Sequence, residues 1–304
     1  TASPVLVEPK SAPPPPSSTP VPTLTTTPNT GTPGTATPGA ITPFVMAPPA
    51  VGVGESFEVR AFAAGAASVT VELDRAKYNL IAAPDRFWGI VGVPVDAPTG
   101  PRTLRVSALS STGALLGTAT SPLLFAAVQR PVDHLDVTDE VGAVLTEDAA
   151  ATELAIRSAQ FASFDPGKRW NGLFTVPVAG AQTTAFGQGR SINGGPVGGF
   201  HSGMDIGADA GTPVHASADG RVASVVRMPI RGLSVVIDHG AGIKSGYHHL
   251  ESAVVREGDT VARGQVIATV GSTGFSTGPH LHWEVLVWGV NVDPLQWTTE
   301  RFEP

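Results

Sequence analysis

Between residues 44 and 128 apolar and polar side chains alternate with the period of a β-strand. Ser56–Phe62, Ser68–Leu73, Phe87–Val93 and Arg102–Ser107 each repeat on every second residue, so each can turn one face to a core and one to water. Gly, Pro and Asp separate the runs, notably at Asp96–Pro101 and Ser110–Gly113. Short strands punctuated in this way predict a small β-sandwich over residues 44–128. The period then changes. Thr146 has the chemistry of a helix cap, and Glu147 and Asp148 suit the positive end of a helix. Ala150, Leu154, Phe161 and Ala162 fall on one stripe. A helix through about Ala162 is therefore predicted, ended by Asp165-Pro-Gly167. It lies within a connector of residues 129–172 and packs between domains, with Trp170 and Phe174 filling that packing. From residue 173 to 304 the chain is again rich in strand patterns and in glycine. Gly187–Gly199 reads as a long loop on a functional rim, faced by a second rim at Phe275–Pro279.

Composition changes the picture mainly at the N-terminus. Half of the 28 prolines fall in the first fifty residues, among Thr, Ser, Ala and Gly. Residues 1–43 are therefore expected to form an extended, solvated linker, suited to glycosylation and to holding a domain away from a membrane or wall. The net charge is −7, without a basic stretch, which argues against nucleic acid and anionic membrane surfaces as partners. No apolar run approaches the roughly 20 residues that span a bilayer. There is no cysteine, so any metal site must use imidazole and carboxylate.

Those ligands are concentrated. Five of the eight histidines lie in His201–Asp205, Gly246–Leu250 and Pro279–Glu284. His280 and His282 share one face of a strand, and so do His201 and Asp205 with Gly203 between them. A helix would also align residues four apart, but Gly203 would cost it about 1 kcal/mol. Position 202 is Ser, so the helical zinc-protease motif, with Glu after the first His, is absent. Both segments are read as strands or strand ends. His134, His215 and His239 stand alone and are read as hydrogen-bonded structural residues.

The three segments, in this order, resemble the lysostaphin-type (LytM-like) zinc metallopeptidases that cut peptidoglycan peptides. Thr183–Gly187, Gly211–Val222, Val235–Gly240, Gly271–His280 and Asp293-Pro294 are similar to that family's framework. The likeness covers roughly residues 173–297. The sandwich resembles, more weakly, the immunoglobulin-like domain that precedes some of these peptidases. The resemblance implies a mainly β protein: an immunoglobulin-like β-sandwich, one connecting helix, and an antiparallel β-sheet peptidase domain over residues 173–304. It implies that His201, Asp205 and His282 bind one Zn2+, leaving a fourth position for water. It implies that His249 and His280 are the catalytic histidines. Tyr247 and Leu250 select His249 over His248, and Glu284 is a candidate to support His282.

The expected reaction is zinc-assisted hydrolysis of stem or cross-bridge peptides by a monomer outside the cytoplasm, with a fragment from about Trp170 sufficient for it. The rival within the family is a non-catalytic or autoinhibited wall-binding module that regulates other wall hydrolases. A second rival concerns Val255–Gly271, which is similar to lipoyl and biotinyl carrier domains. Those need an acceptor lysine in an exposed hairpin, and Lys244 is the only lysine after residue 173.

Overall fold

The computed structural model describes residues 41–162 and 165–304. The expected linker lies almost wholly outside the described residues. The first region consists of β1 (Phe44–Met46), β2 (Ala50–Gly52), β3 (Ser56–Phe62), β4 (Ser68–Leu73), β5 (Ala76–Ala82), β6 (Phe87–Gly92), β7 (Gly100–Leu109) and β8 (Leu115–Ala126). They pair in the order β1-β3-β6-β5-β4-β7-β8-β2, antiparallel except for β2 with β8. β5 runs beside β4 for nearly its whole length but touches β6 only through Ile81 and Ala82. The sheet curls at that corner around Val59, Val69, Val71, Val91, Leu104 and Val106, all fully buried.

β9 (Val132–Leu135), α1 (Asp139–Gly142) and α2 (Glu147–Gln160) follow. Thr146 caps α2, its Oγ1 accepting from the Ala149 N–H at 3.1 Å. The apolar stripe predicted for this helix is not what it buries. Leu154 is 67% exposed, Ala150 and Ala162 are exposed, and Glu153 is the buried residue. The helix lies against the next sheet through charge, because Glu153 and Arg157 are four apart and share the inward face.

The remaining elements are β10 (Ala181–Thr184), β11 (Gly189–Ile192), β12 (Val197–Phe200), β13 (Met204–Gly207), β14 (Pro213–His215), β15 (Gly220–Met228), β16 (Gly232–Gly240), β17 (Ile243–Ala253), β18 (Thr260–Val261), β19 (Val266–Val270), β20 (His280–Val287), β21 (Val290–Val292) and α3 (Gln296–Thr299). A ten-stranded sheet runs β10-β13-β20-β17-β16-β15-β18, with β14, β19 and β21 attached beside it. The protein is thus mainly β. The expected loop Gly187–Gly199 is a hairpin of β11 and β12, which β9 joins in parallel. Asn193 and Gly194 both have positive φ, 49° and 71°, and the Gly195 N–H bonds the Ile192 carbonyl. That is the two-residue turn Asn-Gly favours, because its twist matches the strands it joins.

Trp170 and Phe174 are buried in the second core, where Trp170 meets Trp88 of β6, Phe174 and Trp297. Trp88 and Ile90 of the first sheet belong to this second core as well. Residues 281, 283, 285 and 287 of β20 point into it. The alternate positions 280, 282 and 284 therefore face the opposite side, and this places the chemistry.

Candidate metal centre

β20 is the axis of the centre. On one side it pairs with β13, so that Asp205 lies opposite His282 and Gly207 opposite His280. On the other it pairs with β17, with His248 opposite His282. His201 arrives just after β12, held by the bond from its own N–H to the Gln188 carbonyl. Gly203 lets this segment cross the sheet closely: a Cβ there would stand 2.4 Å from the Trp283 carbonyl oxygen and 2.8 Å from His282 Nε2.

His201, Asp205 and His282 converge. His201 Nε2 and His282 Nδ1 lie 3.0 and 2.7 Å from Asp205 Oδ1 and 2.9 Å from each other. The outer nitrogen of each ring is committed elsewhere. His201 Nδ1 donates to the Ala185 carbonyl at 2.9 Å, and His282 Nε2 donates to Glu284 Oε1 at 3.2 Å. Two imidazole lone pairs and a carboxylate oxygen are thereby aimed at one buried point, a donor set that suits a divalent metal cation, with hydrogen-bonded outer nitrogens of the kind that orient metal ligands. The charges agree. Burial alone would raise the Asp205 carboxyl, but bonds from His201 and His282 hold it far below the usual carboxylate range. Burial lowers His201, whereas at His282 the Asp205 and Glu284 carboxylates outweigh burial and favour positive charge.

His249 and His280 flank the group. The φ of His249 is +59°, in the left-handed region, so the alternation of β17 breaks there. A flat strand would send His248 and His249 to opposite faces. Here His248 lies with its ring 5.6 Å from His282, while His249 lies 4.8 Å from His280 and 6.0 Å from His282. The two neighbours differ in access. His248 is fully buried, with Nδ1 bonded to Ser234 Oγ at 2.8 Å. His249 lines the cleft, and its Nδ1 donates to the Thr273 carbonyl at 2.8 Å. His280 Nδ1 donates in the same way to the Gly278 carbonyl at 2.8 Å. Each of the two rings is therefore anchored through Nδ1, with Nε2 on the edge away from its backbone anchor. Burial, with His282 and His280 close by, holds His249 well below the ordinary histidine value.

The cleft has a volume of about 340 Å³ and is lined by Thr183, Arg190, Arg231, His249, His280 and Phe275–Pro279, among others. Both expected rims thus contribute, although only Arg190 does so from the β11–β12 hairpin. His134 is exposed on β9. His215 bonds the Pro177 carbonyl, and His239 bonds the Asp219 carbonyl and Ser245 Oγ. None of the three joins the centre.

The sequence patterns did not show what surrounds Glu284. This carboxylate is wholly buried. It accepts from His282, from Ser202 Oγ at 2.7 Å, from Arg231 at 2.8 Å and from Arg157 at 3.0 Å. Burial would raise it, but Arg157 and Arg231 keep it well below the ordinary glutamate value. Apart from His282, these partners are remote in sequence and carry no motif.

Residues 199–294 match the family model described as Peptidase family M23. This stretch is a peptidase family M23 domain. The M23 domain is 44% identical over 96 residues to the peptidoglycan DD-endopeptidase ShyB of Vibrio cholerae, a match covering 32% of this chain and 22% of that protein. It is 45% identical over 95 residues to the murein hydrolase activator EnvC of Escherichia coli, covering 31% and 23%. The chain thus spans under a quarter of the length of these relatives. A longer likeness is to a crystal structure of a Pseudomonas aeruginosa protein described as a peptidase M23. That likeness covers 77% of this chain and 89% of the other, at 27% identity and a TM-score of 0.57. It therefore extends beyond the M23 domain into the regions that precede it.

Proposed function

We propose that the chain is a zinc-dependent endopeptidase that hydrolyses peptide bonds in bacterial peptidoglycan, acting outside the cytoplasm. One observation carries the reading. Three metal-ligand donors converge at the base of a cleft whose wall presents two further imidazoles, each with Nδ1 pinned by a backbone carbonyl. The relation to a peptidoglycan endopeptidase supports the substrate class.

His201, Asp205 and His282 would hold zinc, whose chemistry when bound is polarisation of a carbonyl and acidification of water. The protein's own groups handle the proton. Nε2 of His249 or His280 takes it as the water oxygen bonds to the scissile carbonyl carbon, and the C–N bond breaks as that proton reaches the leaving nitrogen. Until that proton is handed on, the Nε2–H of the imidazolium so formed donates a hydrogen bond to the developing oxyanion. Thr273 and Gly278 keep each ring in the tautomer this requires.

The likeness to a murein hydrolase activator supports a second reading, in which the same fold binds the wall and stimulates another hydrolase. The two separate in one experiment. Purified full chain, assayed for zinc, is incubated with isolated peptidoglycan and the released fragments are identified by mass spectrometry. The expected result is one zinc per chain, release of peptides cut at an amide bond, and loss of both in Asp205→Ala and His282→Ala. A zinc-loaded chain that releases nothing, yet accelerates a second wall hydrolase, would overturn the endopeptidase reading.

A further inference from the structure

Helix α2 lies outside the matched M23 residues, yet its buried face is built from Glu153 and Arg157. A charged pair is a costly way to seat a helix, since both groups give up water and must recover it in bonds. Apart from a 3.4 Å bond from Arg157 to Asn291, the recovered bonds lead to the centre. Arg157 Nη1 donates to Glu284 Oε2 at 3.0 Å, while Glu284 Oε1 holds His282 Nε2. Glu153 Oε2 accepts from the backbone N–H groups of Ile230 and Arg231 at 2.7 and 3.0 Å, and its Oε1 from the Arg231 guanidinium at 2.5 Å. The carbonyl of that same Arg231 accepts from the N–H of His249 at 2.9 Å, and the Ile230 carbonyl from Phe275 at 2.7 Å. Arg231 closes the ring by donating to Glu284 Oε1.

We infer that Glu153 and Arg157 are positioning residues of the metal centre, fixing the His282 ring through Glu284 and the His249 backbone through the Ile230–Arg231 turn. The helix would then set metal affinity and the placement of His249 rather than merely cover the sheet. Two carboxylates and two guanidiniums balance within this cluster, so its charge is neutral while its geometry is fixed by at least six bonds. The inference rests on the zinc reading above, and its test reads the metal itself rather than turnover.

Arg157→Met in the full chain distinguishes positioning from mere electrostatics. Removing a cation near a divalent metal would by Coulomb's law tighten binding. Releasing Glu284 from its anchor would instead weaken it, by roughly 10- to 100-fold if it acts as the outer partners of metal ligands do. The expected result is weaker zinc binding in competition titrations against a chelating dye, a changed absorption spectrum of the Co2+-loaded protein, and recovery of most of the affinity in Arg157→Lys. Glu284→Gln combined with Arg157→Met should be little worse than Glu284→Gln alone, because both remove one linkage. Glu153→Gln, which retains an acceptor for the two backbone N–H groups, serves if the methionine variant does not fold, and is expected to shift the Co2+ spectrum too. Folded variants with unchanged or tighter zinc binding and an unchanged spectrum would overturn the inference while leaving the zinc reading intact. A parent chain without zinc would overturn both, and a zinc-loaded parent without hydrolysis would overturn only the enzymatic reading.

Discussion

The two large sheets bury different things. Among the described residues, the interior of the β1–β8 sheet is almost wholly apolar, Ser56 and Thr70 being its buried polar side chains. The sheet around β20 buries His201, Asp205, His239, Lys244, His248, His249, His282 and Glu284. In the first region each side chain needs only a neighbour of suitable shape, so many sequences would serve. In the second, each buried charge or imidazole needs a named partner at hydrogen-bond distance, and the partner comes from another strand, a loop or α2. Shape is specified locally by alternation, whereas chemistry is specified by bonds between segments far apart in the chain.

The sharpest way to test this contrast is at the cleft. His249→Ala or His280→Ala should leave zinc bound and slow peptide release about 10²- to 10⁴-fold, the range for losing proton transfer help. His248→Ala should slow it far less, since its Nδ1 serves Ser234 and the ring is sealed from the cleft. Zinc content and release rates measured on the same preparations decide this, and an inactive His248→Ala beside an active His249→Ala would reverse the two roles. A second prediction breaks the first region alone. Leu104 is fully buried in β7, so Leu104→Ala should cost about 2–5 kcal/mol of stability in denaturant melts. Its zinc affinity should remain that of the parent; a matching loss would show that the two cores act as one.

The smallest effect concerns pH. Burial pushes His239 down to about 4, against an ordinary value of 6.5, so the folded chain keeps this ring neutral where the unfolded chain protonates it. Above about 6.5 the two states bind equal protons and the group has no effect. As pH falls from 6.5 towards 4 only the unfolded state gains the proton, so stability declines by at most about 3 kcal/mol and then levels. His239→Gln should flatten that slope in melts taken across this window. An unchanged slope would remove His239 from the account.

Much of this was legible in the sequence, and the exceptions have physical causes. The alternating runs at Ser56–Phe62 and Ser68–Leu73 are strands over those same residues, because period two is a local signal. His201, Asp205 and His282 do meet at one point, because Asp205 and His282 face each other across β13 and β20 and His201 reaches them from the segment between β12 and β13. The hairpin was masked by its glycines, which suggest a loop, although Asn193-Gly194 carries a turn that strands favour. The helix misled for a deeper reason. A stripe drawn through Leu154 and Phe161 assumes that apolar residues choose the buried face. Glu153 and Arg157 took that face because Arg231 and Glu284 wait beneath them, 78 and 127 residues away in the chain. No window of sequence contains both halves of such a contact.

The seat of α2 also sets what can be moved from one protein to another. A graft cut at the limits of the M23 match would carry the five converging side chains and look complete. A cut near Trp170 would do the same. Either transplant would arrive with the carboxylate of Glu284 facing a gap where Arg157 had been, and with the Ile230–Arg231 turn no longer tied to Glu153. The smallest portable unit is therefore larger than the M23 match and begins before Thr146. Chimaeras that import the helix with the sheet should tolerate foreign neighbours, whereas those that borrow a helix from elsewhere must supply an acid and a base four residues apart on its inner side.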